Sequence, residues 1–214
     1  MSQATPRMFA DDTNITLSAH CVTELEKTIN DELCNIYQWL IANKLSLNVA
    51  KTEFMIIGSS QRLTAHGKKT INIKLNNDVA IEHIGSSKSL GVTIDSQLSL
   101  AEHIREISKK IASAICALKR VWPFISQNSA MQIYKALIFP HFDCCSTVWD
   151  GLNSTLSDIV QILQNRAARA ITRTSYDIKS NDILKELNWD TLTVRRKKQT
   201  ALLMFKVMNK RAPK

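Results

Sequence analysis

Leu90-Gly-Val-Thr-Ile-Asp95-Ser-Gln-Leu-Ser-Leu100-Ala-Glu-His-Ile104 is the stretch in which the chain changes its period. Ser89 to Ile94 reads as a strand, with Gly91 where another backbone can approach closely. From Leu100 the apolar residues recur at steps of three and four, at Ile104, Ile107, Ile111, Ile115 and Leu118. Working outward, the upstream part predicts short strands and one helix, and the downstream part predicts helices only. The expected fold class is therefore α+β, short antiparallel strands plus a helix over 1–98 followed by an all-α part over 99–214.

Upstream, Val22, Leu25, Ile29, Leu33, Ile36 and Leu40 predict a helix over Cys21 to Asn43, with Trp39 and Ile41 widening its stripe. Glu53 to Ile57 reads as a strand stopped by Gly58, and Gln61 to Thr70 as a polar loop. Ile71 to Leu75 alternates strictly, and Val79 to Ile84 returns as its hairpin partner. Downstream, Ala130 to Phe139 predicts a helix ended by Pro140, and Leu156 to Ile171 another. A short helix follows over Ser180 to Leu187, and Asp190 is placed to cap a last one through Val207.

The net charge of +9 is unevenly placed, about −1 over residues 1–95 and +10 over the rest. That asymmetry points to a polyanion, nucleic acid before anionic membrane. Lys109, Lys110, Lys119 and Arg120 fall on the polar side of the helix after Leu100, and Arg166, Arg169 and Arg173 on one flank of the helix after Leu156. Trp122, Phe124 and Trp149 read as helix-packing anchors or as stacking faces for bases. Five cysteines without a Cys-x-x-Cys pair read as reduced thiols on apolar faces. No apolar run is long enough to span a bilayer, and the N-terminus shows no apolar signal segment, so an intracellular, soluble protein of nucleus or cytoplasm is expected, with no membrane partner.

Near the start, Phe9-Ala10-Asp11-Asp12-Thr13 places two carboxylates between apolar pairs, a tight acidic turn. The ordinary reading is a solvated turn. The alternative is a site for a hard divalent cation, because adjacent carboxylates repel and oxygen ligands suit Mg²⁺. Met1 to Arg7, polar and carrying Pro6, reads as a poor strand, so only the strand after the turn is expected to be sound.

Taken in order, these pieces resemble the reverse transcriptases of non-LTR retrotransposons, the jockey-like and CR1-like mobile elements. The residues that carry the resemblance are Phe9-Ala-Asp-Asp12, then Trp39-Leu40 with Asn43-Lys-Leu-Ser-Leu-Asn48 and Lys51-Thr52. Leu90 to Asp95 with Leu98 and His103-Ile104 follow, then Pro140 to Trp149 and Gln164-Asn-Arg-Ala-Ala-Arg169. The resemblance implies the C-terminal part of a right-hand polymerase palm over 1–98, then a helical thumb and post-thumb region over 99–214. It implies RNA-directed DNA polymerase chemistry, the addition of deoxynucleotides to a DNA primer on an RNA template by two Mg²⁺ ions (Mn²⁺ as substitute) about 3.5–4 Å apart. Asp11 would be the metal ligand, Asp12 its acidic neighbour, and Lys51 either a general acid or a solvated lysine. Leu90 and Gly91 would lie under the primer end, although Leu90, Val92 and Ile94 read equally as core.

The same resemblance implies a further metal-binding aspartate and a fingers region that this stretch does not contain. The chain is therefore expected to be an inactive fragment when alone, unless some other acid, Asp95 being the candidate, completes the site. Two alternatives stand beside it: a non-catalytic basic helical module that binds nucleic acid, and an unselected genomic remnant.

Overall fold

A computed structural model describes residues 4–10, 12–66, 71–75 and 79–211. The chain divides into two compact units, one of residues 1–87 with 96–98, the other of 88–95 with 99–214.

The first unit opens with an antiparallel hairpin, β1 (Thr5–Phe9) and β2 (Asp12–Thr16), in which Phe9 faces Asp12 and Pro6 faces Ile15. The strand before the acidic turn is thus formed, against the expectation from Pro6. A two-stranded ribbon leaves one side of each strand without a ladder, so a missing proline N–H costs nothing there. Ala10 takes φ 52 at the turn. The side chains of β1 are exposed throughout.

α1 (Val22–Ala42) lies where the period-3.6 pattern puts it, and its Leu33 packs with Ile73, Leu75 and Ile81. Trp39 and Ile41, at 54% and 58% exposure, stand outside this core, so the apolar stripe is narrower than the sequence suggests. Two polar residues one turn apart fasten the helix to the neighbouring backbone. Asn30 donates from Nδ2 to the Asn72 carbonyl (3.1 Å) and accepts from the Lys74 N–H (2.9 Å). Glu26 accepts from the Asn72 N–H at 3.1 Å. A side chain on the helix thereby satisfies backbone groups that an edge strand would leave bare.

The remaining strands are short. β3 (Glu53–Phe54) ends well before Ile57, and Ser60–His66, expected as loop, is a helix, α2. Its Thr64 hydroxyl bonds back to the Ser60 carbonyl at 2.8 Å. β4 (Lys74–Leu75) and β5 (Val79–Ala80) pair antiparallel as expected. β6 (Glu82–His83) then departs and pairs parallel with β3, with Phe54 and His83 stacked at 4.9 Å. This pair is thus parallel, whereas β1–β2 and β4–β5 are antiparallel.

β7 (Ser86–Ser89), at whose middle the chain passes into the second unit, and β8 (Val92–Asp95) form a hairpin. The single strand expected from Ser89 is broken, because Leu90 and Gly91 take φ 47 and 87. Two successive left-handed residues make a tight reversal that matches strand twist, and glycine takes it without cost. Asp95 then ends the strand and starts α3 (Ala101–Val121). Its carboxylate accepts from the Ser99 N–H (3.0 Å), the Ser99 hydroxyl (3.0 Å) and the Leu100 N–H (2.7 Å). The last residue of the strand is thus the physical cause of the change of period.

α3 buries Ile104, Ile107, Ile111, Ile115 and Leu118 against α6 (Ser154–Thr172), which contributes Val160, Leu163, Ala167 and Ile171. Burying one such aliphatic side chain fully is worth about 1.5–3 kcal/mol. Between them, α4 (Gln127–Ile133) starts at Ser126, whose hydroxyl accepts from the Ser129 N–H. Pro140 does not end this helix. The chain runs through a π turn, Tyr134–Ile138, into α5 (Phe139–Asp143), with Pro140 in the first turn. Widening the turn moves the carbonyl that the ring would strike, so the chain continues where an α-helix would stop. α7 (Ser180–Glu186) is short, and α8 (Leu192–Met208) is capped by Thr191, not Asp190, through the Val194 N–H.

The basic run of α8 is the largest departure from the sequence reading. Arg195 forms a two-pronged pair with Asp143 (2.8 and 3.1 Å) and lies 4.3 Å from the Phe139 ring. Gln199 donates to the same carboxylate. Arg196 is 3% exposed, 3.3 Å from Asp150 without hydrogen-bond alignment, and donates to the Ser157 hydroxyl at 2.9 Å. Lys198 pairs with Asp190 at 2.6 Å. Three of four consecutive cations are thus spent within the unit.

Asp143 supplies a pH test. The Arg195 hydrogen bonds, then Gln199, hold its carboxyl below the usual carboxylate range. A depressed folded value adds stability above the unfolded value, near ~4, which is lost as pH falls through the folded value. The melting temperature of the wild type should therefore fall more between pH 6 and pH 3 than that of Asp143→Asn. Parallel curves would contradict the pairing.

Candidate nucleic-acid interface

The cations named from the sequence for nucleic acid fall into two groups, and both belong to the helical unit. Arg105, Lys109 and Arg120 are exposed on the side of α3 opposite its buried isoleucines, and Lys119 is exposed on one flank. The stripe runs over about 22 Å of helix. Among the described residues these four and Lys110 form no ion pair. Lys110 sits on the flank. It adds to burial in holding His103 and His141 below the ordinary histidine value, with Glu106 opposing at His103.

The second group gathers at the C-terminal ends of α3 and α6. Arg173, at φ 61 just past α6, donates to the carbonyls of Trp122 (3.0 Å) and Ile125 (2.6 Å) and lies 5.2 Å from the Trp122 ring. Arg169 donates to the Ile178 carbonyl (2.9 Å) and the Ser180 hydroxyl (3.0 Å). Between Arg169 and Lys119 stands the ring of Tyr176, 5.4 and 6.0 Å from the two cations. Cations near helix C-termini also answer the partial negative charge there. Arg169 and Arg173 are thus engaged inside the unit, and Lys119 and Arg120 are the outward charges of this end. Arg166 is half-buried one turn before Arg169. Sequence reasoning named the cations but not Tyr176, whose only signal was an aromatic in the polar loop after Arg173.

The other sequence-named residues are divided between the two units. Asp12 is exposed at the start of β2, Asp11 lies outside the described residues, and Lys51 is exposed at the end of a short 3-10 turn, Val49–Lys51. Leu90 and Gly91 form the β7–β8 turn, and the Leu90 carbonyl accepts from the Cys145 thiol at 3.9 Å. Asp95, the candidate for completing an acidic site, is committed to the start of α3. No three His, Cys, Asp or Glu side chains come together as metal ligands among the described residues. Trp149 is fully buried, which removes it as a stacking face, while Phe124 is 86% exposed. The cysteines are all free thiols, and Cys21, Cys116 and Cys144 are exposed rather than set on apolar faces. No described helix is long and apolar enough to cross a membrane.

Over most of its length the chain is similar to RNA-directed DNA polymerases of non-LTR retrotransposons. It is 25% identical over 192 residues to the "Probable RNA-directed DNA polymerase from transposon BS" of Drosophila melanogaster, covering 86% of this chain and 20% of that protein. It is 23% identical over 145 residues to the "Retrovirus-related Pol polyprotein from type-1 retrotransposable element R1 2" of Nasonia vitripennis, covering 66% of this chain and 35% of the relative. With the "RNA-directed DNA polymerase from mobile element jockey" of Drosophila funebris it shares 20% identity over 180 residues, 82% of this chain and 19% of the relative. The chain thus spans a fifth to a third of the length of these relatives. No protein-family model matches the chain. No solved structure matches it.

Proposed function

We propose that this chain is the part of a non-LTR retrotransposon reverse transcriptase that grips the RNA template and DNA primer, and that by itself it does not polymerise. Residues 1–98 correspond in this reading to the C-terminal palm and residues 99–214 to the thumb and the region after it. The observation that carries it is the unpaired cationic stripe of α3 in a chain similar over most of its length to RNA-directed DNA polymerases. A helix with cations on one side and a packed core on the other can follow a phosphate backbone without reading its sequence.

Asp11 and Asp12 would hold Mg²⁺ or Mn²⁺ only together with a further acid. Asp95 is a poor choice for it, because its carboxylate already holds Ser99 and Leu100, the residues that lead into α3. A chain lacking that acid leaves the attacking oxygen unactivated, and misplacement of a reacting group by about 1 Å already costs orders of magnitude in rate. Deoxynucleotides are thus substrates of the larger assembly in this reading.

The test uses one preparation of the purified chain with an RNA–DNA hybrid, Mg²⁺ or Mn²⁺, and deoxynucleotides. Binding that weakens steeply with salt, without primer extension, is the expected result. Extension abolished by Asp11→Ala would overturn the claim of inactivity. Absence of binding at low salt would overturn the grip. The same stripe also favours a second reading, a nucleic-acid module acting without a polymerase. A chain that binds hybrid and plain duplex DNA equally would favour that one.

A further inference from the structure

We propose that Tyr176 is a stacking platform for one unpaired base beside the duplex held by α3. This rests on the nucleic-acid reading above and adds a subsite to it. The ring stands in the loop between α6 and α7 and is 71% exposed. An exposed aromatic side chain is common enough; what distinguishes this one is its surroundings. Arg169 lies 5.4 Å from the ring centroid and is tethered at its far end to Ile178 and Ser180. A guanidinium fixed in this way supports the ring without following it into solvent. Lys119 reaches the ring only at 6.0 Å, the outer limit of a cation–π contact. Its flexible stem lets it leave the ring for a phosphate when a base arrives.

The chain beneath this cluster is tied by hydrogen bonds. Arg173 ties the chain after α6 to the Trp122 and Ile125 carbonyls at the end of α3. The loop that carries Tyr176 therefore starts from a fixed point next to the cationic stripe. The adjacent carboxylate, Asp177, is engaged by the Ser175 side chain, the main reason its carboxyl is held below the usual range.

The ligand class follows from the geometry. Bases inside a duplex already have neighbours on both faces, so a lone ring on a surface offers them nothing. An unpaired base has a free face, and any of the four bases can use it. A charged backbone leaving the α3 stripe near Lys119 and Arg120 would bring its first unpaired nucleotide to the ring. The site is thus one for a single-stranded overhang next to a duplex, indifferent to sequence.

The experiment compares a blunt RNA–DNA hybrid with the same hybrid carrying a short overhang, by fluorescence anisotropy at fixed salt. Wild type should bind the overhang form about tenfold tighter, as one base–aromatic stack provides. Tyr176→Ala should abolish that preference and leave blunt binding unchanged, and Tyr176→Phe should retain it. In wild type, a 5-iodouracil in the overhang should photocross-link to Tyr176, which does not depend on any variant folding. Equal losses on both substrates, or a cross-link elsewhere, would overturn the subsite. Salt-dependent hybrid binding without an overhang preference would sink this proposal alone, whereas loss of all binding would remove both.

Discussion

Replacing Trp149 with alanine is expected to cost the helical unit about 3–5 kcal/mol, the range for deleting a buried large aromatic side chain. Trp149 is completely buried, and its indole N–H donates to the Cys144 carbonyl at 3.0 Å. On one side the His103 ring lies 6.4 Å away, and Arg196 stands 5.2 Å from the indole. Truncation would therefore open a cavity, orphan a carbonyl and uncover a guanidinium that burial already holds below its ordinary value. Arg196 is poorly placed to absorb that loss, because its Nε and Nη1 are already buried without hydrogen-bond partners. Urea unfolding followed by circular dichroism measures the effect. Trp149→Phe should lose clearly less, since it keeps most of the volume and loses chiefly the N–H. A loss below about 1 kcal/mol for the alanine variant would mean that the side chain is not in the core.

The second large effect is expected on binding. Substituting Arg105, Lys109, Lys110 and Arg120 together by glutamine should lower the slope of log affinity against log salt by roughly four. Each cation that neutralises a phosphate releases about one counterion, so four contacts amount to more than about a hundredfold in affinity at low salt. Stability should move little, because exposed substitutions away from special contacts usually stay within about 0.5 kcal/mol. Arg169 and Arg173 make the useful contrast. The hydrogen bonds of Arg173 tie the end of α6 to the end of α3, and those of Arg169 tie α6 to the chain entering α7. Removing them should lower the melting temperature more than the salt slope. An unchanged slope in the fourfold variant would place the phosphate contacts elsewhere.

The two effects probe different fates of the same charge excess. From composition alone, every Lys and Arg after residue 95 counts equally toward a polyanion. Asp143, Asp150 and Asp190 divide them, because each takes one cation of the Arg195 to Lys198 run. Arg195 and Asp143 lie 52 residues apart, a separation at which no local pattern reports a pair.

The sequence by itself determined the change of period at Asp95, the amphipathic stripes of α1, α3 and α6, and the acidic hairpin turn. Each is set by neighbours within one or two turns, where alternation and the 3.6 repeat state which side chains leave water. The resemblance to reverse transcriptases was likewise legible, since it rests on short runs of residues in a fixed order. Only the tertiary structure decided that Pro140 passes through a π turn, that β6 leaves its hairpin to pair with β3, and that Tyr176 meets Lys119 and Arg169. It also decided which cations face outward. Those outcomes depend on contacts between residues far apart in the chain, and hydrophobic periodicity records the need for burial without naming the partner that provides it.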